Sequence, residues 1–514
     1  MILTTNINNN KIRFKIKTNN NHNHNHNNII YHISIIKGAY YFFITTLLVL
    51  LALFGTTTWA TIPVKLTPSI KDWLQDASIP QQRVSIAIAP ADGGEVLFGL
   101  NAEQALNPAS LMKLYTTYGA LNILGTNHFW TTKLLSQGTL KPSTDIFMGD
   151  IFIQGSADPS LKLQDIWRLL RELRLSGVKH IEGDWVFDRS IIKDTAYINN
   201  PNSFDGSGEK PYNVQPDGLL MNFHTTRLVF QPASPNWHII ADPMPLDWTQ
   251  SGNITNTQGN CIDWRSTFTS QIQPSNTSLI SGNIHFKGSI PNSCGQQNLY
   301  RVITADNNYT SGLIKTLWQE LGGTHSGQFR TGVTPINSPV LAQIDSEPLS
   351  SIVRDINKRS NNVMAKMLYL NLSAAAPFNQ IASEQRLRDW LKSVGLNDSS
   401  LHFDNGSGLS RIERSSALAL VKLLQHAYSH QVMPEFMSSL AVAGQDGTLT
   451  KRLKSITGLA HLKTGTLQDS VGLAGYVLGK SGQRYVFTGI INHNNIAAGQ
   501  ATLDQLVVWL QLNG

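Results

Sequence analysis

Ser110 and Lys113 place a hydroxyl and an amine three residues apart, in the segment Ser110-Leu111-Met112-Lys113. Two residues at this spacing on a helix share one face. A serine hydroxyl is a poor nucleophile until a neighbouring base takes its proton. A lysine becomes such a base when burial or a second cation lowers its pKa, and the start of a helix offers N–H groups to a developing oxyanion. The pair therefore predicts a serine nucleophile with a lysine general base.

The same spacing also occurs at Ser190 and Lys193. No sustained helical pattern follows that second pair, so it is interpreted as a coincidence. Because Ser-x-x-Lys recurs by chance in a chain of this length, the first pair gains weight only from other motifs at suitable places.

Two such motifs occur further along the chain. Ser360-Asn361-Asn362 lies where one helical stretch ends and another begins, which predicts a loop that projects polar side chains. Lys463-Thr464-Gly465-Thr466 precedes a strand-like run and is predicted to lie on a strand edge. The order Ser-x-x-Lys, Ser-x-Asn, Lys-Thr-Gly is the constellation of the penicillin-recognising active-site serine enzymes.

The elements that must position these motifs follow from periodicity. Alternation of apolar and polar residues predicts a strand over 83–89, a turn at 92–94 and a second strand over 95–98. Near the other end, runs over 471–478 and 484–491 flank a glycine-containing turn and predict a hairpin. Apolar residues at helical spacing predict helices that open at Asn107-Pro108, cover 349–356, 363–372 and 417–428, and end the chain through Leu503, Leu506, Val507 and Leu510. One mixed sheet built from both ends of the chain and covered by helices, an α/β architecture, is the economical arrangement.

Between these ends the residue composition and the hydrophobic pattern of the sequence change. Residues 131–334 contain short alternating stretches broken by Gly, Pro, Asn and Ser, with one good helix over Leu163–Leu175. This pattern predicts a β-rich insertion, divided into two subdomains, within a serine-enzyme domain made of residues 61–130 and 335–514. Residues 1–60 are predicted to be an Asn-rich leader followed by a signal peptide.

Most of the net positive charge of the chain lies in that leader. The 514 residues carry 41 Lys and Arg against 34 Asp and Glu, a formal net charge of +7. Five of the basic residues and none of the acidic ones fall within residues 1–60, which leaves 36 against 34 for the rest. The nearly neutral remainder does not call for a nucleic-acid partner.

The end of the leader resembles an export signal. Lys37 precedes an uncharged apolar run over 39–54, and small residues at Thr58 and Ala60 suit cleavage after Ala60. The run of 16 residues is shorter than the roughly 20 that span a bilayer. Two interpretations stay open, a cleaved signal peptide and an uncleaved membrane anchor.

The chain has two cysteines, Cys261 and Cys294. In an exported protein they could form one disulfide, and the alternative is two separate thiols. Neither has a neighbouring His or Cys at the spacing of zinc ligands, so no metal site is predicted.

Together, the motifs identify a family that the chain resembles: the low-molecular-mass class C penicillin-binding proteins of the D-Ala-D-Ala carboxypeptidase/endopeptidase type, peptidase family S13. The resemblance runs from about residue 64 to the end. The interval of 250 residues between Ser110 and Ser360 fits, because this family carries a large insert between the two motifs. Further similar segments are Gly149–Gly155, Asp158–Leu161, Asp404–Arg411 and Asp446–Leu449.

The resemblance implies an α/β (α+β) fold, a penicillin-recognising serine transpeptidase/β-lactamase-like domain with a large β-rich insertion. It implies a serine-type D-Ala-D-Ala carboxypeptidase or D,D-endopeptidase that hydrolyses peptidoglycan stem peptides, with β-lactams as covalent inhibitors. Neither a cofactor nor a metal is implied. The expected location is the periplasm, with inner-membrane association through an uncleaved leader, a loose membrane association and a homodimer left open.

The resemblance also implies a role for each motif residue. Ser110 attacks the carbonyl of the penultimate D-Ala, Lys113 accepts its proton, and Ser360 relays a proton towards the leaving amine. A positive Lys463 keeps Lys113 neutral by repulsion, and the N–H groups of Ser110 and Thr466 form the oxyanion hole. Gly465 is expected to let the substrate approach the strand closely. The substrate-binding residues implied are Asn362, Lys463, Thr464, Gly465 and Thr466.

Three other functions compete with this one. An unrelated hydrolase is disfavoured because no Gly-x-Ser-x-Gly elbow occurs around the candidate serines, and Gly406-Ser407-Gly408, which has the wrong spacing, is interpreted as a turn. A β-lactamase uses similar motifs but has a much shorter chain without the 200-residue insert. A catalytically silent penicillin-binding or scaffolding homologue is opposed by the fact that all three motifs are intact.

Overall fold

The computed structural model describes residues 2–8, 11–17, 66–193, 201–244, 248–274, 281–304 and 306–514. The chain divides into two compact units, Met1–Trp59 and Ala60–Gly514. In the first unit, strands β1 (Ile2–Asn8) and β2 (Lys11–Lys17) pair antiparallel. They overlap the start of the Asn-rich tract over Asn6–Asn28, whose low-complexity sequence predicts an unstructured segment. The apolar run and the predicted cleavage site lie outside the described residues. None of the helices described is both long enough and apolar enough to span a bilayer.

In the second unit, short strands alternate with helices. The strands described are β3 (Val84–Pro90), β4 (Phe98–Leu100), β5 (Thr131–Leu135), β6 (Thr139–Leu140), β7 (Ile146–Met148), β8 (Ile151–Gln154), β9 (His180–Glu182), β10 (Trp185–Asp188), β11 (Thr226–Gln231), β12 (His238–Asp242), β13 (Trp248–Thr257), β14 (Phe268–Pro274), β15 (Gly282–Pro291), β16 (Gln297–Arg301), β17 (Thr324–His325), β18 (Phe329–Thr331), β19 (Val340–Asp345), β20 (Ala441–Val442), β21 (Ala460–Thr466), β22 (Val471–Leu478) and β23 (Arg484–Ile491). The α-helices described are α1 (Leu66–Asp76), α2 (Lys113–Ile123), α3 (Leu163–Leu175), α4 (Asp306–Glu320), α5 (Leu349–Arg359), α6 (Asn362–Leu370), α7 (Gln380–Ser393), α8 (Ala417–Tyr428), α9 (Met433–Ser439) and α10 (Ile496–Asn513).

A six-stranded sheet forms the centre of the serine-enzyme part, in the order β20-β21-β22-β23-β3-β4. Both ends of the chain contribute to it, and the predicted hairpin has the bounds of β22 and β23. The second predicted strand is displaced, since β4 covers 98–100 rather than 95–98. All pairings in this sheet are antiparallel, so its strands are not mixed in direction as predicted. The reason is that hairpins and helical excursions return each strand beside its neighbour in the opposite sense.

Helices cover both faces of this sheet. Along β3, Ile86 and Ile88 belong to a hydrophobic core that includes residues of α1 and α10. Ala87 and Ala89, which point to the other face, belong to the core formed with α2 and α5 to α9. The central strands are therefore buried on both faces, and α2 lies under one face of the sheet with its residues Lys113 to Leu121 all buried.

The β-rich part contains two further cores. A mixed five-stranded sheet, in the order β18-β10-β8-β5-β19, and a four-stranded sheet, β17-β9-β7-β6, share a core with α3 and α4. The helix α3 has the predicted bounds. Because β19 pairs with β5, this sheet extends past the predicted end of the insertion at residue 334, to Asp345.

Two three-stranded sheets, β12-β11-β16 and β13-β15-β14, enclose a separate core that includes Phe230, Trp264 and Phe286. Cys261 and Cys294 form a disulfide here, which decides between the two alternatives left open by the sequence. The β-rich part described thus has two cores, and the division into two subdomains and the domain boundaries stay predictions.

Replacement of both Cys261 and Cys294 by Ser is expected to lower the free energy of unfolding of the region by about 3–4 kcal/mol, because the bridge closes a long loop in the unfolded chain. Urea unfolding followed by the fluorescence of its buried tryptophans measures the change. An unchanged unfolding midpoint would show that the bridge does not stabilise this region.

Candidate active site

Ser110 lies in a tight turn rather than in the α-helix that the sequence predicts. A 3-10 turn covers Ala109–Met112, and α2 starts only at Lys113. The side chain of Asn107 caps the turn by accepting from the Ala109 N–H at 2.9 Å. Because residues three apart eclipse each other in a 3-10 turn, the Lys113 side chain stands over the serine. Lys113 Nζ and Ser110 Oγ are 2.9 Å apart, as the spacing of the motif predicts.

The amine of Lys113 contacts two further oxygens. One is Oδ1 of Asn362 at 2.6 Å, and the other is the backbone carbonyl oxygen of Ser407. Both of these oxygens can only accept hydrogen bonds. A neutral amine has two N–H bonds and one lone pair, so the two N–H groups point at Asn362 and Ser407. The lone pair is then left facing the Ser110 hydroxyl, which is the geometry of a general base.

The electrostatics favour this neutral form. Complete burial lowers the pKa of Lys113 well below its ordinary value, and the positive charge of Lys463 lowers it further. The nearby Glu413 acts in the opposite direction, and Lys366 adds a smaller lowering. Desolvation is thus the larger cause, whereas the family resemblance implies repulsion from Lys463.

A second serine–lysine pair faces the first. Ser360 ends α5 with a left-handed backbone (φ 55°), and Asn361 caps α6 by accepting from the Met364 N–H. Lys463 Nζ donates to Ser360 Oγ at 2.8 Å and to the Thr464 carbonyl at 2.7 Å. Burial lowers the pKa of Lys463 to about 7. The predicted loop position of the Ser-x-Asn motif is therefore observed. Side-chain hydrogen bonds join all three motifs, from Lys113 to Asn362 and from Lys463 to Ser360.

The Lys-Thr-Gly motif lies on β21, next to the edge of the sheet. β20 pairs only with His461 and Leu462, so in the described chain the outer side of residues 463–466 has no partner strand. The hydroxyl of Thr464 donates to that of Thr448 at 2.8 Å, which ties the strand to the loop that precedes it. An extended peptide could therefore pair with this segment.

The structure shows a packing reason for glycine at position 465. A Cβ at this position would lie 2.8 Å from the carbonyl oxygen of Pro108 and 3.1 Å from the backbone nitrogen of Ser110. The missing side chain therefore makes room for the turn that carries Ser110, on the inner side of β21. The expected approach of the substrate to Gly465 stays a prediction.

Sequence reasoning missed the contribution of the loop over 404–413. Its Gly406-Ser407-Gly408 stretch had been interpreted as a simple turn, yet Ser407 supplies one of the three oxygens around Lys113. The sequence indicates Asp404–Arg411 only as a segment similar to the family. The coincidental pair behaves as expected, since Ser190 Oγ donates to Asp188 at 2.6 Å instead of contacting Lys193.

Comparisons with known proteins agree with this geometry. The model of the D-Ala-D-Ala carboxypeptidase 3 (S13) family matches residues 66–512. A D-alanyl-D-alanine carboxypeptidase of Actinomadura sp. (strain R39) is 25% identical over 460 residues, covering 85% of this chain and 82% of that protein. The D-alanyl-D-alanine carboxypeptidase DacB of Haemophilus influenzae is 24% identical over 432 residues, or 77% and 83% of the two chains. The crystal structure of penicillin binding protein 4 from Haemophilus influenzae superposes with a TM-score of 0.68 at 19% identity, over 85% of this chain and 98% of that one, which shows the shared fold.

Replacement of Gly465 by Ala is expected to slow modification of Ser110 by about 100-fold, because the new methyl displaces the nucleophile turn by a fraction of an ångström to an ångström. The rate of covalent labelling by a fluorescent penicillin measures it. Gly99→Ala on β4 is the matched control, since its Cβ would come closest to the Ala102 methyl at 3.3 Å. Equal labelling rates in the two variants would contradict the packing role of Gly465.

Proposed function

The chain belongs to the D-Ala-D-Ala carboxypeptidase 3 (S13) family, and we propose that Ser110 is the nucleophile with which this serine-type D-Ala-D-Ala carboxypeptidase cleaves peptidoglycan stem peptides. The observation that carries the proposal is the environment of Lys113. Its buried amine has two acceptor-only oxygens on one side and the Ser110 hydroxyl on the other.

In the acylation step, Ser110 Oγ attacks the carbonyl carbon of the penultimate D-Ala, and its proton passes to Lys113 Nζ. The negative oxygen of the tetrahedral intermediate lies at the backbone N–H groups of Ser110 and Thr466. Collapse breaks the C–N bond of the peptide, and the proton held by Lys113 passes through the hydroxyl of Ser360 to the leaving D-Ala amine, so that Lys113 is neutral again. Water, deprotonated in turn by Lys113, then hydrolyses the ester and returns the proton to Ser110.

Substrate binding is assigned to the remaining motif residues. Lys463, Thr464 and Thr466 lie on one strand, and we assign to them the terminal carboxylate of the peptide. Asn362 uses Oδ1 for Lys113, and its amide nitrogen has no partner among the described residues. This nitrogen is therefore free to donate to a carbonyl of the substrate.

Penicillin binding follows from the same geometry. The ring amide of a β-lactam takes the place of the scissile peptide bond. Ser110 attacks its carbonyl carbon and becomes acylated as the ring C–N bond opens, while the carboxylate of the β-lactam takes the place of the peptide terminus. Because a D-Ala–diaminopimelate cross-link presents the same type of bond, D,D-endopeptidase activity would use the same machinery. The intact constellation opposes a catalytically silent homologue.

We further propose that the protein is exported to the periplasm through the leader. The disulfide between Cys261 and Cys294 supports this proposal, because such bonds persist in oxidising compartments.

The N-terminus of the protein recovered from cells tests the leader. Cleavage after Ala60 predicts a mature chain that begins at Thr61 and that fractionates with periplasmic proteins. A chain that keeps residues 37–60 and fractionates with membranes would show an uncleaved anchor, and recovery from the cytosol would contradict export.

The Ser110→Ala variant tests the nucleophile. Wild-type protein is expected to release D-Ala from a stem pentapeptide, and the variant is expected to be slower by at least about 10³-fold because no acyl-enzyme forms. Mass spectrometry of products from the pentapeptide and from cross-linked muropeptides separates carboxypeptidase from endopeptidase activity.

Ser190→Ala is the matched control, because it removes the serine of the other Ser-x-x-Lys pair and should leave the rates unchanged. Equal product release by wild type and Ser110→Ala would overturn the assignment. A penicillin adduct on Ser110 without any product from either substrate would instead indicate a silent homologue.

A further inference from the structure

The loop over 404–413 packs directly against the turn that carries the nucleophile. A Cβ on Gly408 (φ +79°) would lie 2.0 Å from the carbonyl oxygen of Ala109. A Cβ on Gly406 would lie 2.6 Å from the hydroxyl oxygen of Thr116 on α2. The loop therefore meets the catalytic elements with its backbone, and the orientation of its peptide groups decides what those elements contact.

A single carboxylate orients these peptide groups. Glu413 is completely buried. Its Oε1 accepts the N–H groups of Asp404, Asn405 and Gly406 at 3.2, 3.1 and 2.8 Å, and its Oε2 accepts that of Gly408 at 2.8 Å. Among the described residues, no cationic side chain forms a hydrogen bond with this carboxylate. Its charge is stabilised by peptide N–H groups, which are therefore held on one side of the loop.

The carbonyl groups of the same stretch point the other way, towards α2. The carbonyl oxygen of Gly406 accepts from the Thr116 hydroxyl at 2.7 Å, and that of Ser407 accepts from Lys113 Nζ. The Ser407 carbonyl and the Gly408 N–H belong to one peptide group. A single amide thus joins the carboxylate of Glu413 to the amine of Lys113, and hydrogen bonds in such a chain polarise one another.

We propose that Glu413 is a positioning residue for the general base: through the Ser407–Gly408 peptide group it fixes and polarises the carbonyl that takes one N–H of Lys113, and so keeps the lone pair directed at Ser110. The inference rests on the proposed role of Lys113. Without this carboxylate, the peptide group can rotate, and an N–H of Lys113 can turn towards the serine hydroxyl in place of the lone pair.

The charge of Glu413 gives this positioning role an effect on the pH dependence of Ser110 acylation. The groups that act on Lys113 are Lys463 on β21, Lys366 on α6 and Glu413 itself, and Glu413 is the one that raises its pKa. The groups that face Glu413 are Asp404, which raises its pKa, and Lys366. Burial is the main reason that the pKa of Glu413 is raised to about 7. Where Glu413 is ionised, removal of its negative charge lowers the pKa of Lys113, so the base stays neutral down to a lower pH.

The experiment measures the rate of Ser110 acylation by benzylpenicillin between pH 5 and 9 in the full-length protein. For Glu413→Gln, the plateau rate is expected to fall by about 10- to 100-fold, because a charged acceptor of the Gly408 N–H is lost. At the same time the acid limb of the profile is expected to move to lower pH. For Glu413→Asp, which keeps the charge but is one methylene shorter, the plateau is expected to fall and the acid limb to stay in place.

Asp504→Asn is the control for general destabilisation, since it also removes a carboxylate. Asp504 lies on α10 and forms hydrogen bonds with Arg452. If Glu413→Gln has the same plateau rate and the same acid limb as wild type, the inference is overturned. It is also overturned if the acylation rate of this variant falls equally at every pH and the fall matches its loss of thermal stability. If Glu413→Gln does not fold, an unchanged plateau in Glu413→Asp overturns it. Failure of wild type to acylate at Ser110 would instead remove the proposed function.

Discussion

The buried amine of Lys113 is contacted by groups from several elements of the serine-enzyme domain. A lysine taken out of water favours its neutral form, and a neutral amine is directional because only one of its three substituent positions is a lone pair. Four separate elements define those positions. α2 carries the lysine, α6 brings Asn362, the loop over 404–413 brings Ser407, and β21 brings the cation of Lys463.

Close approach of backbone to backbone holds the nucleophile between two of these elements. On one side, Gly465 of β21 faces Pro108 and Ser110, and on the other, Gly408 faces Ala109. Neither approach leaves space for a Cβ. The turn itself has a positive φ at Ala109 (48°), a conformation that costs energy in a residue with a side chain. Contacts on both sides explain how that conformation is maintained.

The β-rich part is built on different principles from the serine-enzyme part. Its two cores are separate, and the smaller one, which contains Phe230 and Trp264, carries the disulfide. A small core buries little apolar surface, so a covalent link adds stability that packing alone does not supply. The helix-covered antiparallel sheet, by contrast, buries both faces of its central strands.

Local pattern was enough to predict some of the elements and the motif residues. The hairpin over 471–491, the helix α3 and the loop at Ser360 follow from interactions between residues close in the chain, which periodicity and turn residues report directly. The identity of Ser110, Lys113 and Ser360 as one site came from the order of three motifs. The contacts that decide the chemistry have no such signature. Lys113 meets the Ser407 carbonyl across 294 residues of sequence, and every residue has a carbonyl.

The same distinction explains what sequence reasoning missed. The missing side chain of Gly465 faces the carbonyl oxygen of Pro108, a contact that the sequence neighbours of this glycine do not indicate. Glu413 is an ordinary glutamate in the sequence and becomes the carboxylate of four peptide N–H groups only when the loop folds. The sequence by itself determined which residue types and local elements are present. Tertiary structure alone decided which polar groups are buried together, because burial and backbone orientation depend on packing between segments that are remote in the chain.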